Sequence, residues 1–146
     1  QVLWQVGEYY FKSMSEKVKR LDSSKIHMCD FIYRMDFAYT IADLIIARAG
    51  AGTISELCLV GKPCILIPSP NVTEDHQTKN ARSLVDRNAA LMIPDAEAPA
   101  KAVPLALSIL DDEKTCSELS KHLLSLGLPN ASADIANEIL ELASSK

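Results

Sequence analysis

The sequence lacks the residue patterns that usually mark a metal centre or a covalent catalyst. It contains no H-E-x-x-H motif, no C-x-x-C pair and no other Cys/His spacing typical of zinc sites. An Asp-x-Asp motif, which would carry a divalent metal beneath a diphosphate, is also missing, and no Ser/His/Asp set of a nucleophilic enzyme is recognisable. We therefore predict that the chain holds no metal and no cofactor of its own.

A basic surface and a membrane-spanning segment are missing as well. The formal net charge is −4 and the sequence pI is about 5.3, which argues against a nucleic-acid partner. No apolar run approaches the ~20 residues of a membrane span and no signal peptide is present, so we expect the chain itself to be soluble. The cysteines show no paired spacing and are interpreted as buried thiols of a cytosolic protein: Cys29, Cys58, Cys64 and Cys116.

The length of 146 residues suits one domain with a hydrophobic core, and we assign residues 1–146 to that domain. The first residue is Gln1 rather than Met, and an apolar segment follows directly at Val2. We therefore expect a fragment of a longer protein, truncated at its N-terminus.

Short apolar runs alternate with amphipathic segments over the first two thirds of the sequence. Because the apolar runs show no polar/apolar alternation, they are typical of a parallel sheet buried on both faces. After Pro94 the pattern becomes purely helical, and Asp111 is the predicted N-cap of the second helix there. The predicted strands are Val2–Trp4, Ile26–Cys29, Leu44–Ala47, Cys64–Ile67 and Ala90–Ile93; the predicted helices are Tyr10–Leu21, Met35–Ala42, Thr53–Val60, Glu74–Asp86, Pro99–Leu110, Asp112–Leu126 and Asn130–Ser144. The fold class is α/β, a doubly wound parallel sheet with a helical C-terminal tail.

A glycine-rich turn lies between the third predicted strand and the helix predicted from Thr53. Gly50 and Gly52 remove side chains where the backbone approaches another group closely. With Thr53 as N-cap, the free N–H groups of this helix would be able to bind a phosphate. A tight turn that binds nothing would explain the same residues, so both interpretations stay open.

Glu56 also has two interpretations. The spacing Thr53-Ile54-Ser55-Glu56 is that of a capping box, in which the glutamate bonds back to the N-cap N–H group. Alternatively, a carboxylate one turn into a nucleotide site accepts hydrogen bonds from both hydroxyls of a ribose. From the residues alone, the capping box is the simpler explanation.

Three histidines and one glutamine complete the candidate polar residues. His76 and Gln77 follow Glu74 and Asp75 in a polar helix start, which an ordinary solvated N-terminus would explain. Gln77, however, offers the donor and the acceptor needed to read sugar hydroxyls. The other two histidines are predicted to be structural, one in the core of a strand and one on a helix surface: His27 and His122.

Several motifs follow one another along the chain: Phe31-Ile32 with Met35 and Tyr39, Ala42-Asp43-Leu44, Arg48-Ala49-Gly50-Ala51, Thr53-Ile54-Ser55-Glu56, Gly61-Lys62-Pro63, and Asp75-His76-Gln77 with Asn80-Ala81. In this order they resemble the C-terminal, donor-binding domain of the MurG family. The resemblance covers nearly the whole chain and implies one Rossmann-like half of a two-domain glycosyltransferase. Enzymes of this family transfer N-acetylglucosamine (GlcNAc) from UDP-GlcNAc to lipid I, which gives lipid II for peptidoglycan.

The resemblance also implies roles for the loop residues. The backbone of Ile32, next to Phe31, would bind the uracil edge, and Glu56 would hold the ribose hydroxyls, in place of the capping box. Gln77, with His76 beside it, would contact the GlcNAc hydroxyls. The glycine-rich turn would lie against the diphosphate and the sugar through Gly50, Ala51, Gly52 and Thr53.

The same resemblance places the catalytic base in an acceptor domain that this chain lacks, so the fragment alone is expected to be inactive. The lipid-linked muramoyl-pentapeptide acceptor and the contact with the inner face of the bacterial membrane would also belong to that domain, in a cytoplasmic enzyme. Three alternatives stay open: the soluble donor subunit of a two-subunit transferase, a non-catalytic nucleotide-binding module, and, more distantly, a UDP-sugar epimerase.

Overall fold

The computed structural model describes residues 1–20 and 24–144, which form two compact units, Gln1–Ala42 and Asp43–Lys146. Strands and helices alternate along the chain as the sequence predicts, and every strand pair is parallel. The predicted α/β class with parallel sheets is therefore confirmed.

The first unit contains two strands and two helices. They are β1 (Val2–Gln5), α1 (Glu8–Val18), β2 (Ile26–Cys29) and α2 (Met35–Ile41). β1 pairs in parallel with β2, and Val2 lies opposite Ile26. β1 is exposed over its whole length, so the expectation that each strand is buried on both faces is wrong for this strand. The two helices of this unit have no buried residues either, so they do not cover the faces of its two-stranded sheet. The predicted end of α1 at Leu21 lies outside the described residues.

The second unit contains a three-stranded parallel sheet in the order β3-β4-β5, followed by a helical tail. Its elements are β3 (Ile45–Ala47), α3 (Ala51–Val60), β4 (Cys64–Leu66), α4 (His76–Val85), β5 (Leu91–Met92), α5 (Ala98–Leu110), α6 (Glu113–Ser125) and α7 (Ala131–Ser144). A helix connects each strand of this sheet to the next, because parallel strands need a crossover connection.

The core of the second unit lies on both faces of β4, the central strand. Cys64 and Leu66 point into one cluster with Leu57 of α3 and Leu84 of α4. The residue between them, Ile65, points into a second cluster, which Ile109 of α5 and Leu119 of α6 complete. Successive side chains of a strand face opposite sides of the sheet. Since both faces of β4 are buried, all of its residues are apolar. The predicted double-sided burial is thus correct for β4.

The end of α3 is held tightly against α6. Gly61 caps α3 in the left-handed conformation, with φ 65° and ψ 25°. A Cβ atom at this position would overlap the Leu124 side chain of α6. Only glycine satisfies both the backbone angle and the close approach.

Two predicted N-caps are wrong. α3 begins at Ala51 rather than at Thr53, because Gly50 is extended and its carbonyl oxygen already accepts a hydrogen bond from the Ile54 N–H at 2.9 Å. In the tail, Asp112 and not Asp111 caps α6, since its carboxylate accepts from the Thr115 N–H at 3.1 Å. Residues 111 and 112 are both aspartates, and Asp112 is the N-cap because its carboxylate reaches the free N–H group of Thr115, three residues later.

Two further expectations differ from the structure. α4 begins at His76 and not at Glu74, because Glu74 and Asp75 have φ values of 53° and 55°, which interrupt a regular helix. His27 is exposed on β2 instead of being buried in a core. Its strand belongs to the small unit, in which little is fully covered.

Candidate functional site

The turn from β3 into α3 presents an exposed helix N-terminus. Ala51 and Gly52 are exposed, and Thr53 is half-buried. Neither Gly50 nor Gly52 has a positive φ, and a Cβ at Gly52 would meet nothing within 4 Å. At Gly50 it would meet only Thr53 Oγ1, at an ordinary 3.7 Å. The fold itself therefore does not require these glycines, and the tight-turn explanation loses its basis.

The capping-box interpretation of Glu56 is wrong. Thr53 is the third residue of α3 and not its N-cap, and no side chain caps this helix. Glu56 is therefore the sixth helical residue, too far along the helix to bond back to the cap N–H. Glu56 is exposed and takes part in an interaction within the chain. The interpretation as a ribose-binding residue stays a prediction.

Gln77 binds two loops at once. Its Oε1 accepts a hydrogen bond from the Ser69 N–H at 2.9 Å and a second from the Ala49 N–H at 3.2 Å. These N–H groups lie after β4 and after β3, at the carboxyl ends of neighbouring strands. Gln77 thus has a structural role that the sequence analysis missed, and this role uses only the oxygen of its carboxamide.

Asn80 bonds to the same residue of the turn. Its Nδ2 donates to the Ala49 carbonyl oxygen at 3.0 Å. Gln77 and Asn80 are three residues apart, on one face of α4, as the helical period requires. Ala49 is fully buried between them. The spacing of the two amide side chains places them on one face of α4, but no local pattern indicates that this face contacts Ala49.

Arg48 joins the same edge of the sheet. Its Nη1 donates to the Ile67 carbonyl oxygen at 3.1 Å and forms an ion pair with Asp95, which follows β5. The guanidinium therefore connects the ends of all three strands of this sheet. In the sequence, Arg48 is recognisable only as part of a motif, and no local pattern predicts this link between strand ends.

His76 is exposed at the start of α4. Its Nε2 lies 3.8 Å from Glu74 Oε2, so the two form an ion pair when the imidazole is protonated. His122, expected on a helix surface, lies with its Nδ1 2.9 Å from the Asn88 carbonyl oxygen. His76 is thus near Gln77 in the chain, while His122 serves a separate contact between α6 and the end of α4.

The first unit carries Phe31 and Ile32 on the loop after β2. The Ile32 N–H donates to Gln5 Oε1 at 2.8 Å, so a side chain of β1 already occupies the group predicted to bind uracil. The Phe31 N–H donates to Asp30 Oδ1 at 2.8 Å. The exposed Phe31 ring packs edge-on against Tyr33, with centroids 5.2 Å apart. The loop is therefore held by Asp30 and Tyr33 from within and by Gln5 of β1.

All four cysteines carry free thiols, as predicted. The predicted burial is correct for Cys58 and Cys64 but wrong for Cys29 and Cys116, which are partly exposed. Burial raises the pKa of the Cys64 thiol to about 12, and the neighbouring Cys58 adds to the shift. Cys64 is therefore a core residue without nucleophilic character at neutral pH.

The described part of the chain has neither a cluster of metal-binding side chains nor a membrane-spanning helix. Within residues 1–20 and 24–144, no three His, Cys, Asp or Glu side chains are grouped so that they would hold a metal ion. None of the helices in that part of the chain is long and apolar enough to cross a membrane.

Curated relatives match the chain over its whole length. A protein of Parabacteroides distasonis is 49% identical over 147 residues, and the match covers 100% of this chain and 40% of that protein. A protein of Bacteroides thetaiotaomicron is 46% identical, with 98% and 39% covered. Both are named UDP-N-acetylglucosamine–N-acetylmuramyl-(pentapeptide) pyrophosphoryl-undecaprenol N-acetylglucosamine transferase. The chain therefore spans about two fifths of the length of these relatives.

Solved structures show the same fold. The crystal structure of Acinetobacter baumannii MurG matches with a TM-score of 0.80 and 26% identity, over 95% of this chain and 40% of that one. The glycotransferase of kitacinnamycin matches with a TM-score of 0.66 at 20% identity, covering 93% and 34%, and supports the fold alone.

The family model described as the glycosyltransferase family 28 C-terminal domain matches residues 1–139. This match includes both units and all the loops discussed above. The predicted resemblance to the C-terminal domain of MurG is confirmed, and the chain belongs to the glycosyltransferase family 28 C-terminal domain family.

Proposed function

We propose that this chain is the donor-binding part of an inverting glycosyltransferase that moves GlcNAc from UDP-GlcNAc to lipid I and so makes lipid II. The names of the relatives support the reaction, and the chain spans the corresponding two fifths of their length. The observation that carries the proposal is the β3–α3 turn, where an exposed helix N-terminus bears two glycines that the fold does not require.

The diphosphate of the donor binds at this helix N-terminus. The first N–H groups of α3, at Ala51, Gly52 and Thr53, lack acceptors in a regular helix, and the helix dipole places partial positive charge there. Gly50 gives a diphosphate room to approach the backbone, because a Cβ at this position would be the nearest obstacle. This proposed mode uses backbone N–H groups and the helix dipole and does not call for a metal ion.

In the second unit, we expect the ribose to bind Glu56, which is exposed on α3 and able to accept hydrogen bonds from two vicinal hydroxyls. The assignment of the uracil edge to the backbone of Ile32, in the first unit, follows from the family resemblance alone. There, a carbonyl oxygen of uracil would replace the Gln5 Oε1 that accepts from the Ile32 N–H. The exchange substitutes one carbonyl acceptor for another, so its net cost is small.

The sugar is contacted by Gln77, with His76 beside it. Since Gln77 Oε1 already accepts from Ala49 and Ser69, the contact with a GlcNAc hydroxyl uses the Nε2 group as donor. The sugar would therefore lie close to both strand ends that Gln77 connects.

In the reaction, a hydroxyl of the lipid-linked muramoyl acceptor attacks the anomeric carbon and UDP leaves. The negative charge that develops on the leaving diphosphate is stabilised by the N-terminus of α3. The acceptor, the base that takes its proton and the contact with the inner face of the membrane belong to the part of the relatives that this chain does not span. Alone, the chain binds the donor without transferring it.

Titration of the isotopically labelled chain with UDP, UDP-GlcNAc and ADP, followed by NMR, tests the proposal. We expect shifts at residues 31–34 and 49–56 with both uridine nucleotides and weaker binding of ADP. Equal binding of ADP would refute the assignment of uracil to Ile32, and the absence of any binding would refute the proposed function.

The variant Gln77→Glu tests the sugar contact separately. A carboxylate keeps the acceptor for Ala49 and Ser69 but removes the amide donor. The affinity for UDP-GlcNAc should fall relative to that for UDP, and the ratio cancels any effect of the added charge on the diphosphate. An unchanged ratio would show that Gln77 is purely structural.

A further inference from the structure

The peptide group between Ala49 and Gly50 is fixed from one side by α4. The Ala49 carbonyl oxygen accepts from Asn80 Nδ2 at 3.0 Å, and Ala49 is fully buried. This peptide bond is trans, as are all those in the described part of the chain. In a trans peptide the C=O and the following N–H point in opposite directions. The Gly50 N–H therefore points away from Asn80.

The preceding peptide group is fixed by the same helix. The Ala49 N–H donates to Gln77 Oε1, and Gln77 lies one turn before Asn80 on α4. Two consecutive peptide planes are thus set by two side chains of one face. The residue that follows, Gly50, is the N-cap of α3, and its carbonyl oxygen accepts the first hydrogen bond of that helix at 2.9 Å.

We propose that Asn80 is a positioning residue, which orients the Gly50 N–H and the start of α3 toward the diphosphate through its hydrogen bond to Ala49. The inference rests on the proposed function, because it assumes that an anion binds at this helix start. Asn80 itself does not touch the ligand. It holds the backbone N–H donors in their binding orientation in the free protein, which lowers the entropy cost of binding the diphosphate.

The hydrogen bond from Asn80 restrains the peptide that leads into Gly50. Gly50 has φ −65° and ψ 150°, but without a side chain it rotates more freely than any other residue would. Without Asn80, the peptide between Ala49 and Gly50 loses its hydrogen bond to α4, and only the preceding peptide remains held, through the Ala49 N–H and Gln77. The direction of the Gly50 N–H would then no longer be defined.

The test compares Asn80→Ala with Asn137→Ala, a matched change on the exposed face of α7. Inorganic pyrophosphate, UDP and UDP-GlcNAc are titrated into each variant and the parent chain. We expect Asn80→Ala to weaken all three by a common factor, roughly tenfold for one lost hydrogen bond. Asn137→Ala should match the parent. A loss confined to UDP-GlcNAc would mean that Asn80 contacts the sugar, and an unchanged affinity would mean that it positions nothing; either result overturns the inference.

Amide spectra without ligand separate positioning from a general loss of structure. In Asn80→Ala, changes in shift and hydrogen exchange should be confined to residues 49–53. Changes that spread to α6 would indicate general loosening and overturn the inference. If the parent chain binds none of the three ligands, the proposed function fails together with this inference. If the parent binds and Asn80→Ala binds equally well, only the inference fails.

Discussion

The substitution Glu56→Gln isolates the proposed ribose contact from the scaffold. Glu56 is exposed in the second turn of α3, and the start of this helix at Ala51 excludes a capping role. The amide has the same shape as the carboxylate and a similar helix propensity. Glu56 also takes part in an interaction within the chain, but at an exposed site. The free energy of unfolding should therefore change by no more than about 1 kcal/mol.

The expected loss of binding follows from the hydrogen bonds of the two side chains. A carboxylate offers two acceptor oxygens to two vicinal hydroxyls, whereas an amide keeps one acceptor and replaces the other with a donor. Losing one charge-assisted bond at an exposed site costs about 1–2 kcal/mol, or roughly 5- to 30-fold in the affinity for UDP. Isothermal titration with UDP measures this loss, and chemical denaturation measures the stability.

A comparison with 2′-deoxy-UDP locates the effect. The parent chain should prefer UDP, and Glu56→Gln should lose most of that preference, since the two changes remove the same contact. Glu138→Gln, on the exposed face of α7, makes the same change in net charge and should leave both affinities as in the parent. If Glu56→Gln keeps the full preference for UDP, or if stability falls while affinity is retained, the ribose assignment is wrong.

Three further outcomes are expected. Gly50→Ala should weaken UDP at least several-fold while unfolding changes by no more than about 1 kcal/mol, because the new Cβ meets only ordinary contacts in the free chain; equal affinity would place the diphosphate elsewhere. Gly61→Ala should destabilise the chain by about 2 kcal/mol or more, through its left-handed backbone and overlap with Leu124; an unchanged midpoint in urea would contradict this packing. Because burial raises the pKa of Cys64 from 9.0 to about 12, the unfolded chain releases this proton first. Stability should then fall between those pH values, by up to about 1.4 kcal/mol per pH unit, and the slope should be shallower in Cys64→Ala.

The order of strands and helices is readable from the sequence because it depends on local patterns. Cys64–Leu66 is a continuous apolar run, and the structure buries it on both faces. The same reasoning fails for Val2–Trp4, which is also a continuous apolar run but is exposed. An apolar run reports that a strand is suited to burial, whereas the layers that bury it come from other parts of the chain.

The candidate site was predicted less completely than the fold. The motif around Thr53 matches a capping box in spacing, but the helix begins two residues earlier, and the spacing cannot show where a helix starts. The contacts of Gln77 and Asn80 with Ala49 join residues 28 and 31 positions apart in the chain. No local pattern encodes such a pairing, so the supporting side chains of the turn were missed although the turn itself was found.

The proposed site owes its chemistry to a helix that is fixed at both ends. The start of α3 follows a residue that two side chains of α4 hold, and its last turn ends at Gly61 against Leu124 of α6. The helix dipole therefore keeps its direction while a reaction proceeds. A diphosphate gains negative charge as it leaves the sugar, so a fixed positive end interacts more strongly with the transition state than with the bound donor. A mobile helix would have to reorient during the proposed transfer and would lose part of this extra stabilisation of the transition state. The contacts of Gln77 and Asn80 with Ala49 therefore contribute to the proposed catalysis together with the groups that face the ligand.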